Sequence, residues 1–447
     1  MSKLRLFVLG ATAALAGCAT YTAKPLPQQP PLVRDWHRLA TPAADPLFAG
    51  AHYDPRDGLD LTEVAMLAVA NNPQLKVARD ESAVAGAHLY AAGLPPDPQL
   101  SLSADVPTSH GPGLTTATGI GLDYDVSALL GLPLARRAAR FEKRRTDLTL
   151  LWQEWQVVGA ARILAVRIRL GEQRLDLARE RRRLLAAYSR ELAGLLNSGD
   201  ISLPMVSAAR QALAAARQQA LELAQQVADS RHALNALLGL DPNVRLPMDG
   251  SLTLPPIPEP PRSRLTRRPD ILALQAGYAS EDASLRKAIL AQFPALNLGV
   301  NQARDTSNVH TIGFGISLSL PLFNANRGEI AVARATRQSL YDDYKARLGA
   351  ASGEIGALLA DRARLEKRLA IARADLLPLR RTLAAAAAAE TVGDLGQGDV
   401  LVLRLQLLDG HDLLLTLRQQ DLEEHAALLM LAGGAAPSTN SHGGSHP

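Results

Sequence analysis

Few residues in this chain could carry chemistry, and they fall into three settings. The single cysteine, Cys18, allows no internal disulfide and no cysteine-based metal site. It follows Lys3 and Arg5, an apolar run from Leu6 to Ala16, and Gly17. A basic start, a short apolar stretch and a small-residue site describe a secretory signal peptide over residues 1–17. Acidic residues gather in two glycine-rich turns, Asn197-Ser198-Gly199-Asp200 and Val392-Gly393-Asp394-Leu395-Gly396-Gln397-Gly398-Asp399. There glycine permits a sharp reversal and aspartate can cap the returning helix. Asp105, Asp123 and Asp125 instead alternate with apolar residues. His442 and His446 lie on a Gly/Ser/Pro/His tail and would make only a weak metal site, whereas His232 and His425 occupy matching helical positions and read as structural. The sequence has no phosphate-binding glycine loop, paired zinc-ligand motif or nucleophile elbow, and Gly313-Phe314-Gly315 belongs to a strand pattern. No enzyme, cofactor or metal centre is expected.

The run Leu15-Ala16-Gly17-Cys18 resembles the lipobox of bacterial lipoproteins. That resemblance implies cleavage before Cys18 and acylation of its sulfur and new amino group, a covalent lipid being the only expected addition. A plain cleavable signal is the alternative. Ala19 is compatible with sorting to the outer membrane.

The elements around these residues are long helices and a few strands. Aromatics make up 4% of the 447 residues, which suits helices packed through small side chains better than a bulky core. A net charge of +4, without a basic stripe interleaved with aromatics, gives no reason to expect nucleic acid. After the leader no run of 18 apolar residues occurs, so a membrane would have to be crossed by strands.

An internal duplication organises the chain. Asn72-Pro73 and Arg268-Pro269 are 196 residues apart, Gly119-Ile120-Gly121-Leu122 and Gly313-Phe314-Gly315-Ile316 are 194 apart, and Gly199-Asp200 and Gly393-Asp394 keep that spacing. The first repeat spans 59–240 with a hairpin at 99–127, and the second spans 265–433 with a hairpin at 295–321. Residues 18–58 are proline-rich and expected to be extended, 241–264 form a proline-rich linker, and 434–447 a disordered tail.

Each hairpin strand alternates apolar and polar residues, as in Leu100, Leu102 and Ala104 against Ser101, Ser103 and Asp105. At about 8–10 residues each, such strands suit a tilted crossing of a bilayer. Four strands cannot close a barrel, which needs about eight, so two or more chains must contribute. Asp105, Asp123 and Asp125 would then face water inside the barrel, their neighbours facing lipid. Helices over 134–197 and 327–391 would run about 90–100 Å. Their partners carry coiled-coil spacing, with Leu213, Ala216, Ala220, Leu223 and Val227 in steps of three and four and Leu401, Leu408, Leu415, Leu422 and Leu429 every seven.

These features resemble the TolC-like outer-membrane efflux family. Leu265-Thr266-Arg267-Arg268-Pro269-Asp270-Ile271 is similar to the signature of its lipoprotein members, and Leu320-Pro321-Leu322-Phe323-Asn324-Ala325-Asn326-Arg327-Gly328-Glu329-Ile330 fits as well. The resemblance implies a mainly α fold with a transmembrane β-barrel: a homotrimer, four strands per chain in one twelve-stranded barrel, continued by a long periplasmic helical tunnel. It also implies a passive channel, lipid-anchored in the outer membrane, serving a periplasmic adaptor (membrane fusion) protein and an inner-membrane resistance–nodulation–division pump. Gly199, Asp200, Gly393, Asp394, Gly398 and Asp399 would stand at the tunnel aperture and adaptor contact, where three inward copies of an aspartate make a ring attractive to cations. Arg210 and Arg404 stand where many relatives carry Gln and would face the tunnel or a neighbouring helix. The 320–330 motif and Arg136-Arg137 lean toward the heavy-metal efflux branch. The alternatives are drug or amphiphile efflux, type I secretion, and, from another class, a lipid-anchored periplasmic adaptor.

Overall fold

The computed structural model describes residues 21–40, 46–48, 53–108, 111, 113–257 and 265–432. The leader, Cys18 and the tail with His442 and His446 lie outside the described residues. Two short helices, α1 (Leu61–Asn71) and α2 (Pro73–Ala91), lead into strands β1 (Gln99–Asp105) and β2 (Ala117–Asp125). A 73-residue helix α3 (Val126–Ser198) then reverses into α4 (Leu203–Leu237). The second repeat follows as α5 (Pro269–Leu290), β3 (Ala295–Arg304), β4 (His310–Ser319), α6 (Arg327–Thr391) and α7 (Gln397–Ala432). At 1.5 Å per residue α3 is about 110 Å long. No helix among the described residues is long and apolar enough to cross a membrane.

Local chemistry explains the starts of these elements. Asp60 opens α1 with a capping box: its carboxylate accepts from Thr62 N at 2.7 Å and Glu63 N at 2.8 Å, and Glu63 accepts from Asp60 N at 2.9 Å. Asn72 caps α2 by accepting from Leu75 N at 2.9 Å, with Pro73 at the first helical position. Asp125 ends β2 and caps α3, accepting from Ala128 N at 3.0 Å. This cap starts α3 eight residues before the expected 134, and the helix runs on through Pro133. In the second repeat Pro321 follows the strand instead, and α6 begins only after Ala325 and Asn326, both at positive φ.

The hairpins of the two repeats join into one antiparallel sheet of order β1-β2-β3-β4. All four helix connections leave from the same end of that sheet. Below it the long helices lie side by side. The expected α4 seam holds, with Leu213, Ala216, Ala220, Leu223 and Val227 buried along α3. Helix α7 is seamed on both sides: Leu414 and Leu417 pack with Leu365 and Leu369 of α6, while Leu401 and Leu405 pack beside Leu185 of α3. Ion pairs reinforce the α3–α7 seam, Arg167 to Glu423 at 3.0 Å and Arg174 to Asp412 at 2.7 Å. The lower layer is therefore α4-α3-α7-α6.

Two expectations are corrected at mid-height. Part of the segment before residue 59 is not merely extended: Val33 pairs in parallel with Leu240, and Leu39, Leu47 and Phe48 are buried in the main core. The proline-rich linker joins the same core through Met248, Leu252 and Leu254. Proline restricts helix and sheet, but it does not prevent apolar neighbours from packing.

The second repeat is locked to this core by Arg268. Its side chain is fully buried at the start of α5, with its Cζ 4.9 Å from the centre of the Trp152 ring of α3. Its Nε and Nη2 donate to Asp270 at 3.0 and 2.8 Å, and Arg347 of α6 donates to Asp270 at 2.7 Å and Glu354 at 2.9 Å. Burial alone would raise the Asp270 carboxyl, but Arg268 and Arg347 outweigh it and hold the group below its ordinary value. Removing one partner of a buried pair leaves an uncompensated charge, so Arg268→Ala is expected to cost about 3–5 kcal/mol, read as a lowered unfolding midpoint. Because the Asp270 pKa is depressed on folding, its contribution is complete above about pH 4 and lost as pH falls further. Thermal midpoints recorded from pH 7 to 3 should fall less steeply for Asp270→Asn, from a lower start.

Candidate functional site

The sheet has two unlike faces. On one, Leu100, Leu102, Ile120, Leu122, Leu298, Val300, Phe314 and Ile316 are all exposed, Leu102 at 73% and Phe314 at 87%. Their cross-strand partners are mostly each other, as in Leu100 with Leu122 and Val300 with Phe314. The opposite face carries Ser101, Gly121, Asn301 and Gly313 in one row and Asp123, Gly299 and Gly315 in another. Except for Gly315, whose Cβ position is open, each glycine there lies under a polar neighbour. A Cβ on Gly121 would meet Ser101 Oγ at 2.5 Å, one on Gly119 would meet Ser103 Oγ at 2.6 Å, and one on Gly313 would meet Asn301 Oδ1 at 2.6 Å. A face this thin leaves room for the sheet to bend toward it. Asp105 and Asp123 lie on the polar face. Asp125 spends its carboxylate on capping α3.

The slab formed by sheet and helices has two open sides. Among the described residues β1 pairs only with β2 and β4 only with β3, so each presents a row of unpaired backbone groups. Beneath β1 the open side is α2 and α4, and beneath β4 it is α6. Leu221 of α4 and Ile371 of α6 are exposed on these sides.

At the other end the two hairpin tips share one geometry. Gly199 and Gly393 both sit at φ +84°. Gly199 N donates to Leu196 O at 3.1 Å and Asp200 N to Leu195 O at 3.0 Å; Gly393 N donates to Glu390 O at 3.1 Å and Asp394 N to Ala389 O at 3.0 Å. Each tip is thus a Schellman turn whose glycine needs the left-handed conformation. Capping by Asp200 is corrected: Ser202 stands at the N-cap of α4 without a side-chain bond, and the Asp200 carboxylate meets the Ser198 hydroxyl. Gly398 is not a turn residue either. It lies inside α7, and a Cβ there would stand 3.0 Å from Tyr188 Oη of α3. Asp200, Asp394 and Asp399 are all exposed.

The paired arginines differ. Arg404 lies 4.0 Å from Glu390 of α6, whereas Arg210 has no ion pair among the described residues, because the matching position on α3 is Leu196. His425 bonds Pro255 O at 2.8 Å, with its pKa lowered mainly by burial, in keeping with a structural role. The Trp152–Arg268–Asp270–Arg347–Glu354 cluster was not foreseen as a unit. Arg268 and Asp270 stood in a recognised motif, but Trp152 and Arg347 are distant in sequence and carry no local signal. For the tips, Gly199→Ala and Gly393→Ala should each cost about 1–2 kcal/mol, since only the left-handed conformation is disfavoured. Helical Gly194, where a Cβ meets nothing within 4 Å, should instead gain about 1 kcal/mol as alanine. Amide exchange in the last turn of α3 distinguishes the two outcomes.

Comparison with known proteins agrees with this architecture. Residues 261–434 match the family model described as outer membrane efflux protein. The chain is 25% identical over 382 residues to the pyoverdine export outer membrane protein OpmQ of Pseudomonas aeruginosa, covering 77% of this chain and 78% of the relative. The protein of the same name from Pseudomonas putida is 27% identical over 370 residues, covering 74% and 72%. Among solved structures, the Campylobacter jejuni CmeC outer membrane channel superposes with a TM-score of 0.73 at 16% identity, covering 94% of this chain and 96% of that one. The second repeat thus matches the model of the outer membrane efflux proteins, and the fold as a whole is shared with such a channel.

Proposed function

We propose that the protein is the outer-membrane channel of a tripartite efflux assembly, acting as a homotrimer that conducts its cargo passively. The observation that carries this reading is the slab with two open sides. Strand edges cannot remain unpaired in lipid, so β4 of one copy must find β1 of the next. Three copies give twelve strands, with the apolar face toward lipid and the thin Gly/Ser/Asp face toward the lumen, where Asp105 and Asp123 would be hydrated. The α6 side of one copy then meets the α2 and α4 side of its neighbour, which covers Ile371 and Leu221. The helices extend into the periplasm, and Asp200, Asp394 and Asp399 ring the far end, where a periplasmic adaptor docks and an inner-membrane resistance–nodulation–division pump supplies the energy. Cys18 carries the lipid anchor.

For the cargo we favour heavy-metal cations, on the 320–330 motif, Arg136-Arg137 and the acidic tips. A second reading, an organic chelator or amphiphilic drug, is favoured by relatives named for pyoverdine export. Growth inhibition of a gene-deletion strain, with and without the gene restored, tests both against copper, silver, zinc, cobalt, cadmium and amphiphilic antibiotics. Sensitivity confined to the metals is the expected result, and sensitivity confined to the antibiotics overturns the metal assignment. Cys18→Ser should abolish incorporation of labelled palmitate. Equal labelling of the variant would show that Cys18 is not the anchor.

A further inference from the structure

The foot of the sheet holds a feature the channel reading does not use. Because α3 starts directly at Val126 while its counterpart α6 starts late, the top of α3 walls off a cavity of about 510 Å³ together with the ends of α2 and α5. Leu94 and Pro96 line it from one side, Leu130 and Gly131 from α3, and Phe293 and Lys287 from the third. Apart from Ser127 and Lys287, every lining side chain is Ala, Gly, Pro, Leu or Phe. The volume lies within the usual range for a small-ligand pocket. Of the residues lining it, Leu94, Leu130 and Phe293 are exposed, and so are Leu322 and Phe323 in the stretch between β4 and α6, Phe323 at 97%.

Cations mark the same depth. Arg136 lies about 17 Å from the sheet end by helical rise, Lys287 and Arg327 each lie eight residues from it, and none has an ion pair among the described residues. Arg136 packs just beyond the end of α2, its Nε 3.6 Å from the point a Cβ on Gly93 would occupy. Most nearby acids are already engaged: Asp282 holds Arg286 at 2.9 Å and Arg337 at 3.3 Å, and Asp125 caps α3. Asp97, Glu281 and Glu329 are the nearby acids without an ion pair among the described residues. An apolar slot at the foot of the sheet, with Lys287 in its lining and Arg136 close by, is complementary to an anionic amphiphile.

We propose that this cavity binds an anionic phospholipid of the inner leaflet of the outer membrane, one acyl chain entering between α2, α3 and α5 and the phosphate lying against Lys287 and Arg136. This rests on the outer-membrane reading above. Cations near an anionic lipid surface contribute enough each that losing two weakens binding by roughly 30-fold. A Cβ on Gly131 meets nothing within 4 Å, so Gly131→Phe can fill the cavity without displacing backbone.

The test is native mass spectrometry of the full-length detergent-purified protein titrated with phosphatidylglycerol or phosphatidylcholine. The wild type should prefer phosphatidylglycerol at least tenfold. The double variant Arg136→Ala/Lys287→Ala should lose roughly 30-fold in phosphatidylglycerol affinity and most of the preference, and Gly131→Phe should weaken both lipids. Unchanged binding by Gly131→Phe, or no headgroup preference in the wild type, overturns the proposal. So does phosphatidylglycerol binding that emerges only after Cys18→Ser, which would mean that the chain's own acyl group fills the cavity. Membrane fractionation keeps the two readings apart: wild type absent from the outer membrane sinks the channel assignment, whereas wild type present there without lipid preference sinks only this site.

Discussion

Arg268 is the point at which two copies of one unit become a single body. A guanidinium with no exposed surface is tolerable only if its charge is matched and its flat faces are covered. Asp270 supplies the charge through two hydrogen bonds, and Trp152 supplies the cover from the first repeat. Arg347 and Glu354 extend the cluster to α6. Three helices from both halves of the chain are thereby fixed at mid-height, and everything above and below inherits their spacing. At the matching position of the first repeat, Asn72 donates to Leu237 O at 2.8 Å and so ties the first unit to the end of its own returning helix. The duplication kept a buried polar residue before proline at both places and changed what it fastens: the first closes a repeat on itself, the second joins the repeats.

The lower layer follows from unequal seams. Helix α4 has one buried apolar edge and α7 has two, so α7 takes an interior place and α4 a marginal one. The sheet obeys the same order, with β2 and β3 inside and β1 and β4 at the margins. A body with two bare margins is open on both sides, which is what the proposed closure with further copies requires.

Much of this was legible in the sequence because it rests on periodicity. Alternation in residues 100–105, 120–125 and 296–301 fixed which side of each strand is apolar, and steps of three and four from Leu213 to Val227 fixed the α4 seam. The glycine turns at 199 and 393 were legible for the same local reason: a helix ending in the left-handed region calls for glycine. What escaped was long-range. Nothing near Trp152 or Arg347 announces that they meet Arg268, and proline content in residues 18–58 and 241–264 concealed segments whose Leu39, Phe48 and Met248 complete the core. The α3 start was misplaced because Pro133 reads as a breaker, although the cap provided by Asp125 had already committed the chain to helix.

The unequal junctions between strand and helix give the two halves different mechanical compliance. Helix α3 leaves β2 without an intervening residue, so a twist applied at its far tip is carried along the rod into the hydrogen-bonded ladder. Helix α6 is separated from β4 by the non-helical stretch Leu320–Asn326, so rotation of that rod would reach the ladder only through irregular backbone. One hairpin is therefore built as a fixed spar and the other as a spar on a universal joint. Motion at the tips would divide unequally between them, with the sheet shielded from the second.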